Sequence, residues 1–463
     1  MKSLILTAVL IWVVALCGGC ASINPGVSNE LKPNINIKQA ADARLYQIYI
    51  GSEGELLNPV TQEPIADEGA YIDSIFENFN RISREKPSLQ LTIFIHGGLN
   101  TFEAATKRVD RVKDAMLQDG TYPLFISWDS GALGNYSDHL FLLRRGIRSP
   151  KLGPLSSPFV LAEDLLRAIA RLPASTYNVI FGQNSIRIGH LSLEEKAAKA
   201  SYVHLESEAK FQFHNSPNDT GHKFPDFWSL ANPVKLVTAP LVDGLGTGAW
   251  NSMLRRTDLV LRKRTGFDGI AGDKAATAAS AFLKRWQTDQ RYRDRPVTLV
   301  GHSMGTIIAN NIVSKYQRIK FSKIIYMAAA CTTKDLEYVI APYLERHEQA
   351  EFYNLSLNPY RDINENIYFD MVPRGSLLMW IDQTLANVNS FQDRTAGFWF
   401  NIVRSANQIF EDDDVRRRVH LTQFGISDGS PREHGDFGKY PFWREQFWIG
   451  KDIRRIADVE DEE

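Results

Sequence analysis

Short apolar runs alternate with longer amphipathic segments along most of the chain. Between the first two runs, residues 101–120 place apolar side chains at helical spacing, and Gly120 is a typical helix stop. The runs have the length and the β-branched content of buried strands. Strands that alternate with helices predict a doubly wound, mostly parallel α/β sheet. The six runs are residues 89–97, 122–130, 296–303, 322–330, 351–359 and 418–425.

A long insertion separates the second apolar run from the third. Residues 131–285 contain helix-like pieces such as SPFVLAEDLLRAIARL. A structureless loop of that length inside a compact domain is uncommon, so we expect an inserted, mainly helical cap. The expected α/β core then comprises residues 43–130 and 286–450, and residues 451–463 form an acidic tail.

The first residues have the pattern of a secretory signal. Lys2 precedes an uncharged apolar stretch from Leu4 to Leu16, which is shorter than the ~20 residues that a helix needs to cross a bilayer. The segment resembles a bacterial lipoprotein signal, in which a cysteine after a small residue is lipidated when the signal is removed. Cys20 fits that position, although Cys17 stands where the family usually has leucine.

This resemblance implies a signal peptide over residues 1–19, lipidation of Cys20, and a lipidated N-terminus and polar tether over residues 20–42. A plain signal peptide and an uncleaved anchor are the alternatives, and all three deliver the domain across the membrane. In such lipoproteins an aspartate after the lipidated cysteine retains the protein in the inner membrane. This chain has Ala21 at that position, so the resemblance favours a place in the outer membrane, facing the periplasm. We therefore expect an exported, lipid-anchored protein of the bacterial cell envelope.

Composition and charge exclude several classes of function. The 53 Lys and Arg residues balance 54 Asp and Glu residues, so no global field attracts nucleic acid. After cleavage only Cys20 and Cys331 would remain, and a lipidated Cys20 allows no intramolecular disulfide. The sequence has no H-E-x-x-H motif, no paired C-x-x-C and no P-loop lysine motif, so we expect no metal and no cofactor.

The strongest chemical signal is the stretch Gly301-His302-Ser303-Met304-Gly305, which has the form G-x-S-x-G. It follows a predicted strand and precedes a predicted helix, the context that a nucleophile elbow requires. Glycines two residues before and after the serine let neighbouring backbone approach, and the helix N-terminus offers free N–H groups to a developing negative charge. The pattern predicts that Ser303 is a nucleophile; the alternative is a tight structural turn.

A second loop supplies the partner that such a serine needs. The run IFIHGGLNT ends in His96-Gly97-Gly98, which resembles the oxyanion loop of α/β-hydrolases. With this loop before the elbow, the chain resembles the α/β-hydrolase fold, and more closely an uncharacterised bacterial subgroup similar to esterases and lipases. The resemblance implies that the backbone N–H groups of Gly98, or less favourably Leu99, and of Met304 stabilise an oxyanion.

In that fold the catalytic acid follows the second strand after the nucleophile. The second such run here is EFYNLSLNP, and the loop after it contains Asp362 and Glu365. The resemblance favours Asp362, which is closer to the end of the strand, with Glu365 next and Asp335 or Asp370 as further alternatives. Each of these carboxylates could instead be a surface, turn or cap residue, which is the commonest role of aspartate in loops.

The histidine of the fold follows the last strand. RVHLTQFG is the last run with a strand pattern, and His434 lies in the loop after it, so the resemblance implies that His434 is the general base. His420 lies within the strand pattern and is expected to be structural. His302 occupies the variable position of the elbow, and His96 is expected to order its own loop.

These residues together predict a serine hydrolase. His434 would take the proton of Ser303 as it attacks a carbonyl group, Asp362 would orient the histidine, and water would release the acyl-enzyme. The resemblance and the cap favour a carboxylic ester of a small molecule or a lipid as substrate. A non-catalytic envelope binding or scaffold protein is the main alternative, because one fold hosts many functions, and an acyltransferase or peptidase would use the same residues.

Overall fold

The computed structural model describes most of the chain after the N-terminal segment. Cys20 and Asp370, two residues singled out above, lie outside the described part. The described residues are 43–144, 146–149, 151–177, 201–202, 204–206, 209–215, 233–263, 276–365, 372–425, 429–451 and 454–456.

Nine strands of the described residues form one sheet in the order β2-β1-β4-β3-β8-β9-β10-β11-β7. The pair β1–β2 is antiparallel, and every other neighbouring pair is parallel. Strands β5 and β6 form a separate two-stranded hairpin. The strands are β1 (Gln47–Ile50), β2 (Leu56–Leu57), β3 (Gln90–Ile95), β4 (Thr121–Trp128), β5 (Leu143–Arg144), β6 (Ile147–Arg148), β7 (Gln212–His214), β8 (Val297–His302), β9 (Phe321–Met327), β10 (Glu351–Leu357) and β11 (Val419–Phe424).

Helices connect these strands. These helices are interrupted or extended by short π-helical segments and 3₁₀ turns. The π-helical segments are Leu336–Ile340 and Ile381–Leu385, and the 3₁₀ turns are Phe391–Asp393 and Asp436–Lys439. The α-helices are α1 (Glu68–Glu85), α2 (Phe102–Gln118), α3 (Ala132–Phe141), α4 (Leu152–Tyr177), α5 (Pro233–Leu259), α6 (Ala278–Thr288), α7 (Gly305–Lys315), α8 (Thr333–Asp335), α9 (Ala341–Arg346), α10 (Pro359–Asn364), α11 (Leu377–Trp380), α12 (Trp399–Ile409), α13 (Asp413–Arg416) and α14 (Glu445–Trp448).

The predicted doubly wound, mostly parallel sheet is confirmed, and each of the six apolar runs forms one of its strands. The central strands β3 and β8 are buried almost throughout, since a parallel sheet carries helices on both faces. Their register sets Ile93 beside Leu299 and Ile95 beside Gly301. Because the strands run parallel, the loops after β3, β8, β10 and β11 reach the same edge of the sheet.

The segment expected to form a cap contains helices α3, α4 and α5, but it also contributes to the sheet. Residues Gln212–His214 pair with β11 as the edge strand β7, His420 lying beside Gln212. Three residues carry no periodic signal, so only tertiary pairing reveals this strand. Helix α6 spans the expected boundary at residue 285 and packs on α1, where the rings of Phe76 and Phe282 stack with centroids 4.7 Å apart.

Helix α5 is tied to the core by two buried arginines near its C-terminal end. Arg255 donates to both carboxylate oxygens of Glu53 at 3.0 and 2.8 Å. Arg256 donates to the Asp138 carboxylate at 2.7 Å and to the carbonyl of Asp129 at 2.9 Å. Charge-assisted bonds of this kind offset the cost of burying the two guanidinium groups, and they hold α5 against the core.

Glycines of α5 permit close helix packing. A Cβ added to Gly244 would lie 2.5 Å from the carbonyl oxygen of Asp164 in α4, and one added to Gly246 would lie 2.7 Å from Leu385. Both distances are shorter than a real Cβ tolerates. These glycines therefore let α5 approach α4 on one side and the π-helical segment after α11 on the other, despite the low helix propensity of glycine.

Candidate active site

The serine of the elbow has a strained backbone. Ser303 has φ +52°, a left-handed conformation that a residue with a side chain rarely adopts. Its N–H donates to the Met327 carbonyl at 2.9 Å, and its own carbonyl accepts from the N–H and the hydroxyl of Thr306. These bonds hold the turn between β8 and α7. A Cβ on Gly305 would lie 2.2 Å from the carbonyl oxygen of Ile95, which explains glycine at that position.

The structure brings Ser303 and His434 together. The Nε2 atom of His434 lies 2.7 Å from the Oγ atom of Ser303, and both side chains are buried. Burial, together with the nearby ring of His302, lowers the pKa of His434 to about 3. The imidazole is therefore neutral at neutral pH, and its Nε2 can accept the hydroxyl proton.

His302 has a role that the sequence did not suggest. Its Nε2–H donates to the carbonyl oxygen of His434 at 2.9 Å, and the two ring centroids are 5.5 Å apart. Burial lowers the pKa of His302 to about 4, and the charge of Arg108 contributes to the decrease. The residue before Ser303 thus anchors the loop that carries His434. The elbow motif leaves this position variable, so no sequence signal pointed to it.

The loop after β3 packs directly against the elbow. A Cβ added to Gly97 would lie 2.7 Å from the Cβ of Ser303, and one added to Gly98 would lie 2.7 Å from the Sδ of Met304. Glycine at both positions therefore allows the backbone of this loop to approach the serine. Met253 of helix α5 lies on the same loop, with its Sδ 3.7 Å from the added Cβ of Gly98.

The amide groups of this loop differ in their availability. Leu99, with φ +66°, donates its N–H to the Ser130 carbonyl at 2.9 Å, so that group already has an acceptor. Among the described residues, no acceptor lies within hydrogen-bonding distance of the N–H groups of Gly98 and Met304. Of the candidate donors, these two are the ones that could bind an oxyanion.

His96 orders this loop. Its Nδ1–H donates to the Gly97 carbonyl at 2.7 Å, while its Nε2 accepts the backbone N–H of Trp128 at 3.1 Å. The indole N–H of Trp128 in turn donates to the His96 carbonyl at 3.1 Å. Burial lowers the pKa of His96 to about 3, so the ring stays neutral and keeps this tautomer. The His96 side chain therefore joins β3 to β4, and its hydrogen bonds do not include one with Ser303.

The two candidate carboxylates differ in their contact with His434. Glu365 accepts the backbone N–H of His434 at 2.9 Å through Oε2. Asp362 is fully buried, and both of its carboxylate oxygens lack a hydrogen-bond partner in the described part of the chain. The Nδ1 atom of His434 likewise has no partner there. The structure therefore does not form a bond between Asp362 and the His434 ring.

Both carboxylates are buried away from water. Burial raises the pKa of Asp362 to about 7, and the charge of Asp382 adds to the increase. Burial also raises the pKa of Glu365 to about 8, with the nearby Asp362 contributing. Asp335, a further alternative, forms a capping box with Thr332 at the start of α8, so it is engaged as a helix cap.

The arrangement combines a strained serine, a neutral histidine at hydrogen-bonding distance and two free amide donors. Such an arrangement can activate a hydroxyl group for attack on a carbonyl carbon and can stabilise the oxyanion that forms. Within the described residues, no three His, Cys, Asp or Glu side chains converge as metal ligands would.

The fold is that of the α/β-hydrolases. Comparison with protein families agrees, since residues 272–366 match the family model described as serine aminopeptidase, S33. The match covers about a fifth of the chain, from before α6 to the residue after Glu365, and it includes helix α10, which carries Asp362 and replaces the loop expected there. Comparison with curated proteins and with solved structures gives no match.

Proposed function

We propose that the protein is a serine hydrolase that cleaves a carboxylic ester by way of an acyl-enzyme. The observation that carries the proposal is the 2.7 Å distance between Ser303 Oγ and His434 Nε2 at a positive-φ elbow. Strained conformations of this kind persist where the surrounding structure enforces them, often at active sites. A purely structural turn would need neither the strain nor the buried histidine.

In the proposed mechanism, His434 accepts the Ser303 proton as the oxygen attacks the substrate carbonyl. The N–H groups of Gly98 and Met304 bind the oxyanion, and protonated His434 then returns the proton to the leaving alcohol. A water molecule, deprotonated by His434, then attacks the acyl-enzyme in the same way, and the carboxylic acid and free Ser303 are released. Neither Ser303 nor His434 requires a cofactor for these steps, so the proposal includes none.

We assign the role of acid to Asp362. A buried donor and a buried acceptor without partners are both unfavourable, and the Nδ1–H of His434 and the carboxylate of Asp362 are such groups. A bond between them would stabilise the imidazolium that forms during attack and would raise the pKa of His434. Glu365, which already accepts the His434 backbone N–H, acts as a positioning residue in this assignment.

A peptidase is the second candidate, and one observation favours it. The matching family model is described as that of a serine aminopeptidase, and its matched region includes Ser303 and Asp362. The same nucleophile, base and amide donors would serve amide cleavage, so the distinction lies in the substrate. The ester proposal is supported by the apolar character of helix α5 beside the elbow, where Met253 contacts the oxyanion loop.

The experiment that tests hydrolase activity is labelling with a fluorophosphonate probe. Wild-type protein should be labelled covalently, whereas Ser303→Ala and His434→Ala should not be. Ser314→Ala is a matched control, because Ser314 lies about three turns along α7 from Ser303. Absence of wild-type labelling, or equal labelling of Ser303→Ala, would favour the binding or scaffold alternative.

Substrate class requires a second measurement. Purified protein would be assayed with p-nitrophenyl esters of increasing acyl length and with aminoacyl p-nitroanilides. The ester proposal expects turnover of the esters at a kcat/KM far above that of the anilides. Faster cleavage of the anilides would favour the peptidase, and transfer to an added alcohol without net hydrolysis would favour an acyltransferase.

The proposal also includes a location in the bacterial cell envelope. A lipid on Cys20 would anchor the protein to the outer membrane, where the domain would face the periplasm. Its support is the sequence of residues 1–21. The proposed partners are accordingly an ester substrate and the membrane, with no nucleic acid.

A further inference from the structure

Helix α4 has its apolar side turned toward solvent. Along its 26 residues, seven large apolar side chains are between 47% and 78% exposed. These side chains, which we call the α4 apolar face, are Leu152, Leu155, Phe159, Leu166, Ile169, Leu172 and Tyr177. A surface helix of a water-soluble domain shows the reverse pattern, with its apolar stripe against the core.

The polar side of the same helix faces inward and bonds with neighbouring helices. Asp164, which is buried, accepts from the hydroxyl of Tyr136 at 3.2 Å and bonds with His139 Nε2 at 3.1 Å. Arg171 and Ser175 bond to the buried carboxylate of Asp243 at 3.0 and 3.3 Å. These contacts join α4 to α3 and α5 and fix its rotation, so the apolar face cannot turn inward without breaking them.

The neighbouring helices α3 and α5 also carry exposed apolar side chains. Phe141, at the end of α3, is 45% exposed, and its backbone contacts α4 at Gly153. Val237, in the first turns of α5, is 64% exposed. Contiguous apolar surface of this kind is rare on monomeric proteins unless it is an interaction site.

The charges around this surface are mainly positive. Arg148 and Lys151 are exposed just before the first residue of the α4 apolar face. Glu163 is the exposed acidic side chain along α4. A basic end beside an apolar face complements an anionic lipid surface, where headgroups attract the cations and the acyl boundary accepts the apolar side chains.

The size of the face argues against a second copy of the chain as its partner. A helix of 26 residues is about 39 Å long and about 10 Å wide, so the face presents roughly 400 Å². A stable dimer buries about 800 Å² on each partner. A bilayer has no such requirement, since its surface extends beyond the protein and also accepts Phe141 and Val237.

We propose that the α4 apolar face docks the protein onto the surface of an anionic lipid bilayer, with α4 lying in the plane of the interface. The helix does not cross the membrane; within the described residues, no helix is long and apolar enough to span one. This docking is separate from the proposed lipid on Cys20 and does not depend on the chemistry of Ser303. It would bring the site beside α5 close to lipid.

The test uses nitroxide labels on the full chain, with Cys17 and Cys20 replaced by serine to leave the new cysteine as the reactive thiol. Cys331 is buried, and burial raises the pKa of its thiol above the usual range, so it does not compete. Labels are placed at Phe159→Cys and Leu166→Cys, in the α4 apolar face. The control label is Tyr338→Cys, a residue that is 67% exposed in a different part of the fold.

If the proposal is correct, vesicles of phosphatidylcholine and phosphatidylglycerol should protect the labels at positions 159 and 166 from a water-soluble nickel chelate. The same vesicles should increase the collisions of these labels with dissolved oxygen. The label at 338 should not change. Lys151→Glu should reduce the protection at 159. Equal accessibility with and without vesicles would overturn the proposal, and so would an unchanged signal in Lys151→Glu.

Protection that appears without vesicles and grows with protein concentration would also overturn the proposal, because it would show a second copy on the face. Circular dichroism of each labelled variant checks that the protein is folded, and fluorophosphonate labelling of Ser303 reports the hydrolase activity separately. Vesicle-dependent protection in a protein that does not react with the probe would support docking while contradicting the proposed hydrolase. The two proposals can therefore fail separately.

Discussion

The imidazole of His302 donates a hydrogen bond of 2.9 Å to the backbone carbonyl of His434, 132 residues further along the chain. This bond joins the elbow that carries Ser303 to the loop that carries its proposed base. Both histidines are buried, so water cannot readily replace the bond. The distance between Ser303 Oγ and His434 Nε2 thus depends on a side chain that touches neither atom.

The first prediction concerns this positioning role. His302→Leu removes the donor and should lower kcat roughly tenfold to a hundredfold while leaving KM nearly unchanged, because misplacement of a catalytic group by about 1 Å has effects of that size. His302→Gln, whose amide can donate, should restore part of the rate. Steady-state kinetics with a p-nitrophenyl ester measure both. A wild-type kcat in the leucine variant would show that the bond has no catalytic importance.

A second prediction concerns backbone strain at the elbow. Ser303→Gly should have a free energy of unfolding about 1 kcal/mol higher than Ser303→Ala, because alanine keeps the unfavourable left-handed conformation that glycine adopts freely. Both variants lack the nucleophile, so activity does not enter the comparison. Urea unfolding followed by circular dichroism gives the difference. Equal stabilities would argue against strain at this residue.

A third prediction separates the two carboxylates. Asp362→Asn should lower kcat roughly a thousandfold or more, the scale on which loss of the triad acid acts. Glu365→Gln should have a much smaller effect, because the glutamine carbonyl can still accept the His434 backbone N–H. The comparison is made at one pH with one ester substrate. A larger loss in Glu365→Gln than in Asp362→Asn would reverse the assignment of acid and positioning residue.

A fourth prediction follows from the raised pKa of Asp362, about 7. Between the unfolded pKa near 4 and this value, the folded protein binds more protons than the unfolded chain, so stability should fall as pH rises from 5 to 8. Asp362→Asn removes the contribution of Asp362 to this dependence, while that of Glu365 stays, and should gain roughly 2 kcal/mol relative to wild type over that range.

Urea unfolding of wild type, Asp362→Asn and Asp258→Asn at pH 5 and pH 8 measures the effect. Asp258 is an exposed aspartate of α5 and serves as the matched control, whose substitution should leave the slope with pH unchanged. If the free energy of unfolding of Asp362→Asn changed with pH as much as that of wild type, other groups would cause the pH dependence.

A fifth prediction concerns the proposed anchor. Cys20→Ser should abolish incorporation of labelled palmitate in a bacterial host and should leave a precursor that is not cleaved after residue 19. Cys17→Ser is the matched control and should still be lipidated, because it lies within the proposed signal. Continued incorporation of palmitate in Cys20→Ser would favour another form of export.

Several local features were predictable from the sequence because they depend on neighbouring residues. The strands around Ser303 and His96 were visible as short β-branched runs, and the glycines of the elbow and of the oxyanion loop mark places where backbone must approach closely. The order of these pieces along the chain led to the α/β-hydrolase fold, which the nine-stranded sheet of the described residues confirms. The roles of Ser303, His434 and Asp362 stay predictions.

Other features were decided by tertiary structure, because they depend on residues far apart in sequence. The edge strand Gln212–His214 exists through its pairing with β11, and three residues are too few to show a period. The bond from His302 to His434 arises only when two loops meet at one edge of the sheet. Likewise, the apolar residues of α4 predicted a helix without showing that Asp164 and Arg171 would take the inward side and leave the apolar face exposed.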